Sequence, residues 1–146
     1  MLAAGSKAPV SSLPGLAELI SRGPILLVFY KISCPVCQMT LPFLEKLIGG
    51  QLQIVTVSQD DADGTRRFQD RFRVTMPTLL DPEDEGYPAS NAFGITHVPS
   101  LFLVEPDGTI SLTSEGFVKT DLEAIGTRAG IPVFGTEESV PAWKAG

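Results

Sequence analysis

Apolar positions in the first half of the chain follow two different spacings. The run 25–30 (ILLVFY) is apolar at every position, which is typical of a strand buried on both faces in the middle of a sheet. The segment 34–48 carries its apolar residues at helical spacing, and Gly49-Gly50 after it gives a natural helix stop. A second strand is predicted over 52–57 and a second helix over about 65–72. This alternation predicts a right-handed βαβ unit in a largely parallel sheet.

Shorter elements follow in the second half of the chain. A brief apolar piece lies at 78–80, and 90–93 has room for one helical turn. The runs 100–104 and 110–113 flank the turn signal Pro-Asp-Gly at 106–108. Two short β-rich runs around such a turn predict an antiparallel hairpin.

Two more helices are predicted towards the ends of the chain. Residues 13–22 form a short helix that Gly23-Pro24 ends, and 121–128 form a last helix with Thr120 as its N-cap. The tail 131–146 carries no pattern that assigns it to an element.

The expected architecture is one α/β domain over residues 1–146, with its core at about 5–130. Its central mixed β-sheet has four or five strands and is flanked by helices. Apolar residues make up 43% of the chain, which is ordinary for a globular protein and argues against disorder.

Charge and hydropathy argue against several classes of function. With 11 basic and 17 acidic residues, a net charge of −6 and no basic patch, nucleic acid and anionic membranes are not expected as partners. No apolar run approaches the roughly 18 residues of a membrane span. Residues 1–10 lack a basic segment followed by an apolar one, so we expect a cytoplasmic protein, or an extracytoplasmic one if a leader has been removed. We also expect a monomer.

The chain has only two cysteines, Cys34 and Cys37, and a single histidine, His97. A structural disulfide across so short a loop would restrict the unfolded chain little, because the benefit grows with loop length. A structural zinc site needs more ligands than these residues supply. A Cys-x-x-Cys pair can also be half of a metal site or two inert buried thiols, but its position between a buried strand and an amphipathic helix favours redox chemistry.

That position has a direct chemical consequence for Cys34. The unpaired N–H groups and partial positive charge at a helix N-terminus favour a thiolate over a thiol. Cys37 lies one turn deeper and should stay protonated until it reacts. Side chains three residues apart on a helix are close enough for a disulfide only if the first turn tightens. The resulting bond is somewhat strained, and a strained disulfide suits repeated opening and closing. Pro35 fixes the backbone for the helix start.

The runs VFYKISCPVCQMTLPFLEKL at 28–47 and THVPSLFLVEPDGTI at 96–110 resemble the thioredoxin superfamily. The closer resemblance is to its redoxin branch, the disulfide reductases related to cytochrome-c maturation thioredoxins and peroxiredoxins. GSKAPV at 5–10 and TLLDPEDEGYPASNAFGI at 78–95 are also similar to that branch. The resemblance implies a thioredoxin-like fold and dithiol–disulfide exchange with a protein disulfide substrate. An electron-donor reductase or thiol would be the second partner, and no cofactor is implied.

The resemblance also implies roles for single residues. Cys34 would be the attacking thiolate and Cys37 the resolving thiol. Pro99 would be the cis-proline that packs over the disulfide, and the backbone of Val98 would pair with an extended substrate. The residues expected around the substrate are, besides Val98, Pro35, Tyr30 and His97.

Three positions depart from the family pattern. Val28 stands where thioredoxin has a buried Asp, and Ser33 stands where it has a Trp before the first cysteine. Thr40 replaces a Glu that related reductases carry three residues after the second cysteine. The usual proton acceptor for Cys37 is therefore missing, and we expect a water molecule or His97 to act instead.

A peroxidase activity does not fit the motif. Peroxiredoxins carry a Pro-x-x-x-Thr/Ser-x-x-Cys loop, and the corresponding positions before Cys34 are Leu27 and Lys31.

A copper-binding module is the main alternative. Copper chaperones of the Sco family, which are also thioredoxin-like, have a His before the corresponding hairpin turn. His97 lies at a similar distance before the Pro-Asp-Gly turn at 106–108. Two cysteines and a histidine are a soft ligand set suited to Cu(I), so Cys34, Cys37 and His97 would be the ligands. Those proteins space their cysteines with three intervening residues, and this chain has two.

Overall fold

The computed structural model describes residues 1–146 and contains a five-stranded mixed sheet. Three strands are parallel to one another, and a hairpin extends the sheet through one strand that is antiparallel to both of its neighbours. The order across the sheet is β3-β2-β1-β4-β5. The strands are β1 (Ile25–Tyr30), β2 (Gln53–Ser58), β3 (Thr78–Leu80), β4 (Ser100–Val104) and β5 (Ile110–Glu115). The predicted mixed sheet and the predicted hairpin are therefore confirmed.

Helices flank the sheet, as predicted. They are α1 (Leu16–Ser21), α2 (Pro35–Glu45), α3 (Ala62–Phe72), α4 (Pro88–Ala92) and α5 (Lys119–Ala129), with short 3₁₀ turns at Val10–Ser12 and Glu83–Glu85.

Some predicted helix boundaries are wrong, and each difference has a local cause. α3 begins three residues before the predicted start, because Asp61 caps it by accepting a hydrogen bond from Gly64 N at 2.7 Å. α4 begins at Pro88 because the buried carboxylate of Asp81 accepts hydrogen bonds from the Ala89 and Ser90 N–H groups.

The ends of two other helices also differ from the prediction. α2 ends at Glu45, and the chain continues through turns to Gly49 instead of remaining helical to residue 48. Thr120 is not the N-cap of α5: the helix already includes Lys119, Val118 holds the cap position, and no side chain caps this end.

The central strand β1 supplies alternate side chains to two hydrophobic clusters. Leu26, Val28 and Tyr30 belong to the cluster under α2, α3 and α5. Ile25, Leu27 and Phe29 belong to the cluster under α1 and α4. Because successive side chains of a strand point to opposite faces, a strand covered on both sides must be apolar throughout. All six residues of β1 are buried.

The tail forms an element that the sequence did not predict. β6 (Phe117–Val118) pairs antiparallel with β7 (Trp143–Lys144) outside the main sheet. Among the helices, none has the length and apolar character required to cross a bilayer.

Candidate active site

Three chain segments meet at one edge of the sheet. β1 and β2 are parallel neighbours, so the segments that follow Tyr30 and Ser58 leave the sheet on the same side. β4 is antiparallel to β1, which places the segment just before Ser100 at that side as well. Cys34 and the Val98–Pro99 bond therefore lie close together although 64 residues separate Cys34 from Val98.

Cys34 occupies the N-cap position of α2. Its backbone is extended, with φ −86° and ψ 114°, and its sulfur accepts a hydrogen bond from Cys37 N at 3.1 Å. Pro35 is the first helical residue and is exposed. A sulfur that caps a helix receives an N–H bond and the positive end of the helix dipole, and both stabilise a thiolate. The side chain is half-buried, so an approaching group can reach it.

The other side of Cys34 faces the loop before β4. The Val98–Pro99 peptide bond is cis, and the Cys34 thiol donates a hydrogen bond to the Val98 carbonyl oxygen at 3.5 Å. The Pro99 carbonyl in turn accepts a hydrogen bond from Gly116 N at 2.8 Å. The reactive sulfur therefore lies between a helix N-terminus and a strand-like backbone segment.

Cys37 has the opposite environment. Its side chain is fully buried, and both cysteines are free thiols. Burial raises the pKa of the Cys37 thiol well above its usual range, and the hydrogen bond with Cys34 raises it further. The negative charge of Asp60 acts in the same direction, while a backbone hydrogen bond from Lys31 partly opposes it. These effects favour the protonated form of the Cys37 thiol, and the burial agrees with the deeper position expected from the sequence.

Tyr30 lies behind the site and not on its surface. Its ring is completely buried and packs on Phe68, with 5.1 Å between ring centroids. Its hydroxyl makes no hydrogen bond, although the hydroxyls of Ser58 and Thr56 lie near it. Burial raises the pKa of Tyr30 to about 12. A side chain with no exposed area does not contact a substrate, so we assign Tyr30 to the core behind Cys37.

Asp60 is the residue that the sequence analysis missed. It follows β2 and is half-buried, and its Oδ2 accepts a hydrogen bond from Ile32 N at 2.8 Å. This bond fixes the carboxylate against the loop that leads into the Cys-x-x-Cys motif. Its charge acts on both Cys37 and Tyr30. The available signal was its position: β1 and β2 are adjacent parallel strands, so an acidic residue two positions after β2 lies beside the loop after β1.

Neither residue that stands where related proteins have an acidic side chain can take up a proton. Thr40 is buried and donates its hydroxyl to the Val36 carbonyl at 2.7 Å within α2. Val28 is part of the hydrophobic core.

His97 lies at the protein surface beside Glu115. Its ring is 61% exposed, and Nδ1 lies 2.8 Å from a carboxylate oxygen of Glu115. No group of three or more His, Cys, Asp or Glu side chains is placed so that it could hold a metal ion. The copper-binding alternative built on Cys34, Cys37 and His97 is therefore not supported, because the histidine is engaged elsewhere.

A mixed sheet, a Cys-x-x-Cys pair that begins a helix and a cis-proline facing the first cysteine together define a protein of the thioredoxin fold. Within that class the chain belongs to the AhpC/TSA family, whose sequence profile matches residues 7–113.

Curated relatives agree with this assignment. The chain is 31% identical over 100 residues to the thiol-disulfide oxidoreductase ResA of Halalkalibacterium halodurans; the match covers 65% of this chain and 54% of that protein. It is 27% identical over 143 residues to the ResA of Geobacillus thermodenitrificans, covering 85% of this chain and 79% of that protein. The chain thus spans about half the length of the first of these relatives.

Solved structures show the same fold. A thiol:disulfide interchange protein from Bacteroides sp. superposes with a TM-score of 0.72 at 20% identity, covering 94% of both chains. The thioredoxin domain of a thiol-disulfide oxidoreductase from Bacteroides vulgatus gives a TM-score of 0.67 at 20% identity, covering 80% of this chain and 91% of that one.

Proposed function

We propose that this protein is a thiol–disulfide oxidoreductase that exchanges the Cys34–Cys37 dithiol with a disulfide of a protein substrate. The observation that carries the proposal is the position of the Cys34 sulfur, 3.1 Å from Cys37 N at the start of α2 and 3.5 Å from the carbonyl oxygen of Val98. The names of the relatives support the same chemistry.

The reaction follows from the different environments of the two thiols. The Cys34 thiolate attacks one sulfur of the substrate disulfide, forms a mixed disulfide, and releases the other substrate sulfur as a thiolate that takes up a proton. Cys37 then loses its proton and attacks the Cys34 sulfur, which releases the second substrate thiol. The substrate is reduced by two electrons and the protein now holds a Cys34–Cys37 disulfide. A reductase or small thiol restores the dithiol, and with the opposite redox balance the same steps run in reverse.

Asp60 is the proton acceptor for Cys37 in this proposal. The second step needs a base, because burial keeps Cys37 protonated. Thr40 and Val28 cannot act as bases, and His97 is paired with Glu115 on the surface. The Asp60 carboxylate is held against the motif loop and its charge acts on Cys37. It can take the proton directly or through one water molecule.

The substrate surface is formed by exposed and half-buried groups around Cys34. The backbone of Val98 offers strand-like hydrogen bonding to an extended chain. Pro35 and His97 lie at the border of this surface, where both are exposed. Residues 1–146 act as one domain in this proposal, since a single sheet carries both hydrophobic clusters. The proposal keeps the monomer that we expect from the sequence.

Redox equilibration tests the proposal. The protein is incubated in a series of glutathione or dithiothreitol buffers, and the fraction of disulfide is read by thiol alkylation and mass spectrometry. We expect one two-electron transition, with a tenfold change in the equilibrium ratio for about 30 mV. The single variant Cys34→Ser serves as the control and should show no such transition. If the wild-type thiols titrate independently, or if no intramolecular disulfide forms, the proposal is wrong.

A further inference from the structure

The segment 142–146, which contains β7 and which we call the tail strand, lies beside the proposed substrate surface. Its Trp143 and Lys144 pair with Val118 and Phe117 of β6. Lys119 N donates a hydrogen bond to the Ala142 carbonyl at 2.9 Å. Because hydrogen-bonded and non-bonded pairs alternate in an antiparallel ladder, Phe117 and Lys144 are the next hydrogen-bonded pair.

The far end of the tail strand reaches the loop that faces Cys34. A Cβ atom added at Gly146 would overlap the Val98 carbonyl oxygen and would lie 3.3 Å from Pro99 N. That carbonyl is the group to which the Cys34 thiol donates its hydrogen bond. Gly116 is approached as closely: a Cβ there would overlap the Lys144 carbonyl and lie 3.3 Å from Gly146 N. The contact thus depends on two glycines without side chains.

The segment before the tail strand is anchored to the body of the protein. Phe134 packs on Phe43 of α2 at 5.0 Å and on Phe117 at 5.9 Å between ring centroids. Glu138 forms an ion pair with Lys46 at 2.9 Å. Tethering of this kind keeps a weakly binding segment at a high effective concentration near its site.

We propose that the tail strand is an internal ligand of the substrate surface, which an extended polypeptide substrate must displace in order to reach Cys34. The inference rests on the proposed function and adds to it a substrate class and a means of regulation. The substrate is an unfolded or extended segment that pairs with β6 in the place of the tail strand and continues over Val98. Small thiol reagents need no such pairing and reach the half-buried sulfur with the tail strand in place.

The size of the effect follows from the occupancy of the surface. A substrate that binds only the open state has its apparent affinity reduced by the open fraction. If the tail strand is docked about 90% of the time, its release raises kcat/KM for an extended substrate about tenfold. The rate of reaction with a small reagent should change less than about twofold.

Two variants of the full chain release the tail strand without touching the cysteines. Lys144→Pro removes the N–H group of a hydrogen-bonded pair, and Lys144→Ala is its matched control because it keeps that group. Gly146→Leu places a side chain where the Val98 carbonyl leaves no room. Exchange is measured with an unstructured peptide that contains one disulfide, and iodoacetamide serves as the small reagent. We expect Lys144→Pro and Gly146→Leu to accelerate only the exchange with the peptide.

Trp143 gives an independent measure of docking, because it is the only tryptophan in the chain. We expect its fluorescence anisotropy to be lower in Lys144→Pro than in the wild type and Lys144→Ala. A redox-inert peptide with the sequence of residues 140–146, carrying Phe in place of Trp143, should lower the anisotropy of the wild type on titration. A scrambled peptide should have no effect.

The outcomes separate the inference from the proposed function. Equal anisotropy in the wild type and Lys144→Pro, or peptide exchange no faster in the two release variants than in Lys144→Ala, overturns the inference. Absence of exchange in every variant contradicts the proposed function instead. In that case the titration with the redox-inert peptide decides: displacement of Trp143 supports the tail strand as a ligand of this surface, and no displacement overturns it.

Discussion

The backbone N–H of Cys37 donates a hydrogen bond to the sulfur of Cys34, with 3.1 Å between the two atoms. One helical turn thereby links a half-buried sulfur to a completely buried one. The N–H bond and the helix dipole favour negative charge on the first sulfur, while burial keeps the second one neutral. The two thiols therefore have different tasks in the proposed exchange, and each task can be tested separately.

Replacement of the resolving thiol should trap the intermediate. In Cys37→Ser, Cys34 can still attack a substrate disulfide but nothing resolves the product, so we expect a stable mixed disulfide at Cys34. In the matched variant Cys34→Ser, the buried Cys37 should form no such adduct within the same time. Mass spectrometry of the non-reduced proteins distinguishes the two. Adducts of equal yield in both variants would mean that the assigned order of attack is wrong.

Loss of the Asp60 carboxylate should slow the second step only. For Asp60→Asn we expect resolution of the mixed disulfide at neutral pH to be slower by about a hundredfold, as for removal of a general base. The rate should recover with rising pH, since hydroxide can then take the proton from Cys37. Rapid-quench measurement of a single turnover resolves the step.

The neighbouring Asp61 provides the control for this experiment. Asp61→Asn removes an equivalent charge, but asparagine can still cap α3 by accepting the hydrogen bond from Gly64. We expect its resolution rate to lie within about twofold of the wild type. Equal slowing in both variants would assign the effect to net charge and not to a proton acceptor.

The buried Tyr30 hydroxyl should make the protein less stable at alkaline pH. Its pKa is about 12 in the folded chain against 10.0 ordinarily, so between these values the unfolded chain loses this proton first and unfolding becomes easier as pH rises. The wild type should lose about 2 to 3 kcal/mol more than Tyr30→Phe over that range. Below pH 9 the free energy of unfolding should change with pH in the same way in both proteins. Urea unfolding at each pH measures this, and parallel curves for the two proteins would contradict the expectation.

His97 should be dispensable for proton transfer. Its ring is exposed and paired with Glu115, so we expect His97→Ala to leave the rate of mixed-disulfide resolution within about twofold of the wild type. The same variant tests the copper alternative. A tight one-to-one Cu(I) complex in the wild type that His97→Ala abolishes would contradict the account of this residue.

The fold was predictable because its strongest signals are local. The all-apolar run 25–30 is typical of a strand covered on both faces, and the structure buries each of its residues. The Pro-Asp-Gly turn predicted the hairpin of β4 and β5. The tail was not predictable, because a two-residue strand has no periodicity and Trp143 pairs with Val118, which is 25 residues earlier in the chain.

The site was predictable where one motif contains it. Cys34 and Cys37 are near neighbours in the sequence, and their different burial follows from their positions on one helix. Asp60 was missed because only the parallel pairing of β1 and β2 brings it to the motif loop. The assignment of Tyr30 to the substrate surface failed because β1 is covered on both faces up to its last residue, so the ring lies in a hydrophobic cluster.

The central claim is that the sulfur of Cys34 is a reachable and reactive nucleophile because a helix begins at that residue. The rate of its alkylation by iodoacetamide at pH 7, followed by mass spectrometry in the reduced wild-type protein, tests this claim most directly. We expect Cys34 to react about ten times faster than the thiol of an unstructured peptide, with Cys37 unmodified over the same period. A Cys34 rate equal to or below that of the peptide thiol would contradict the account.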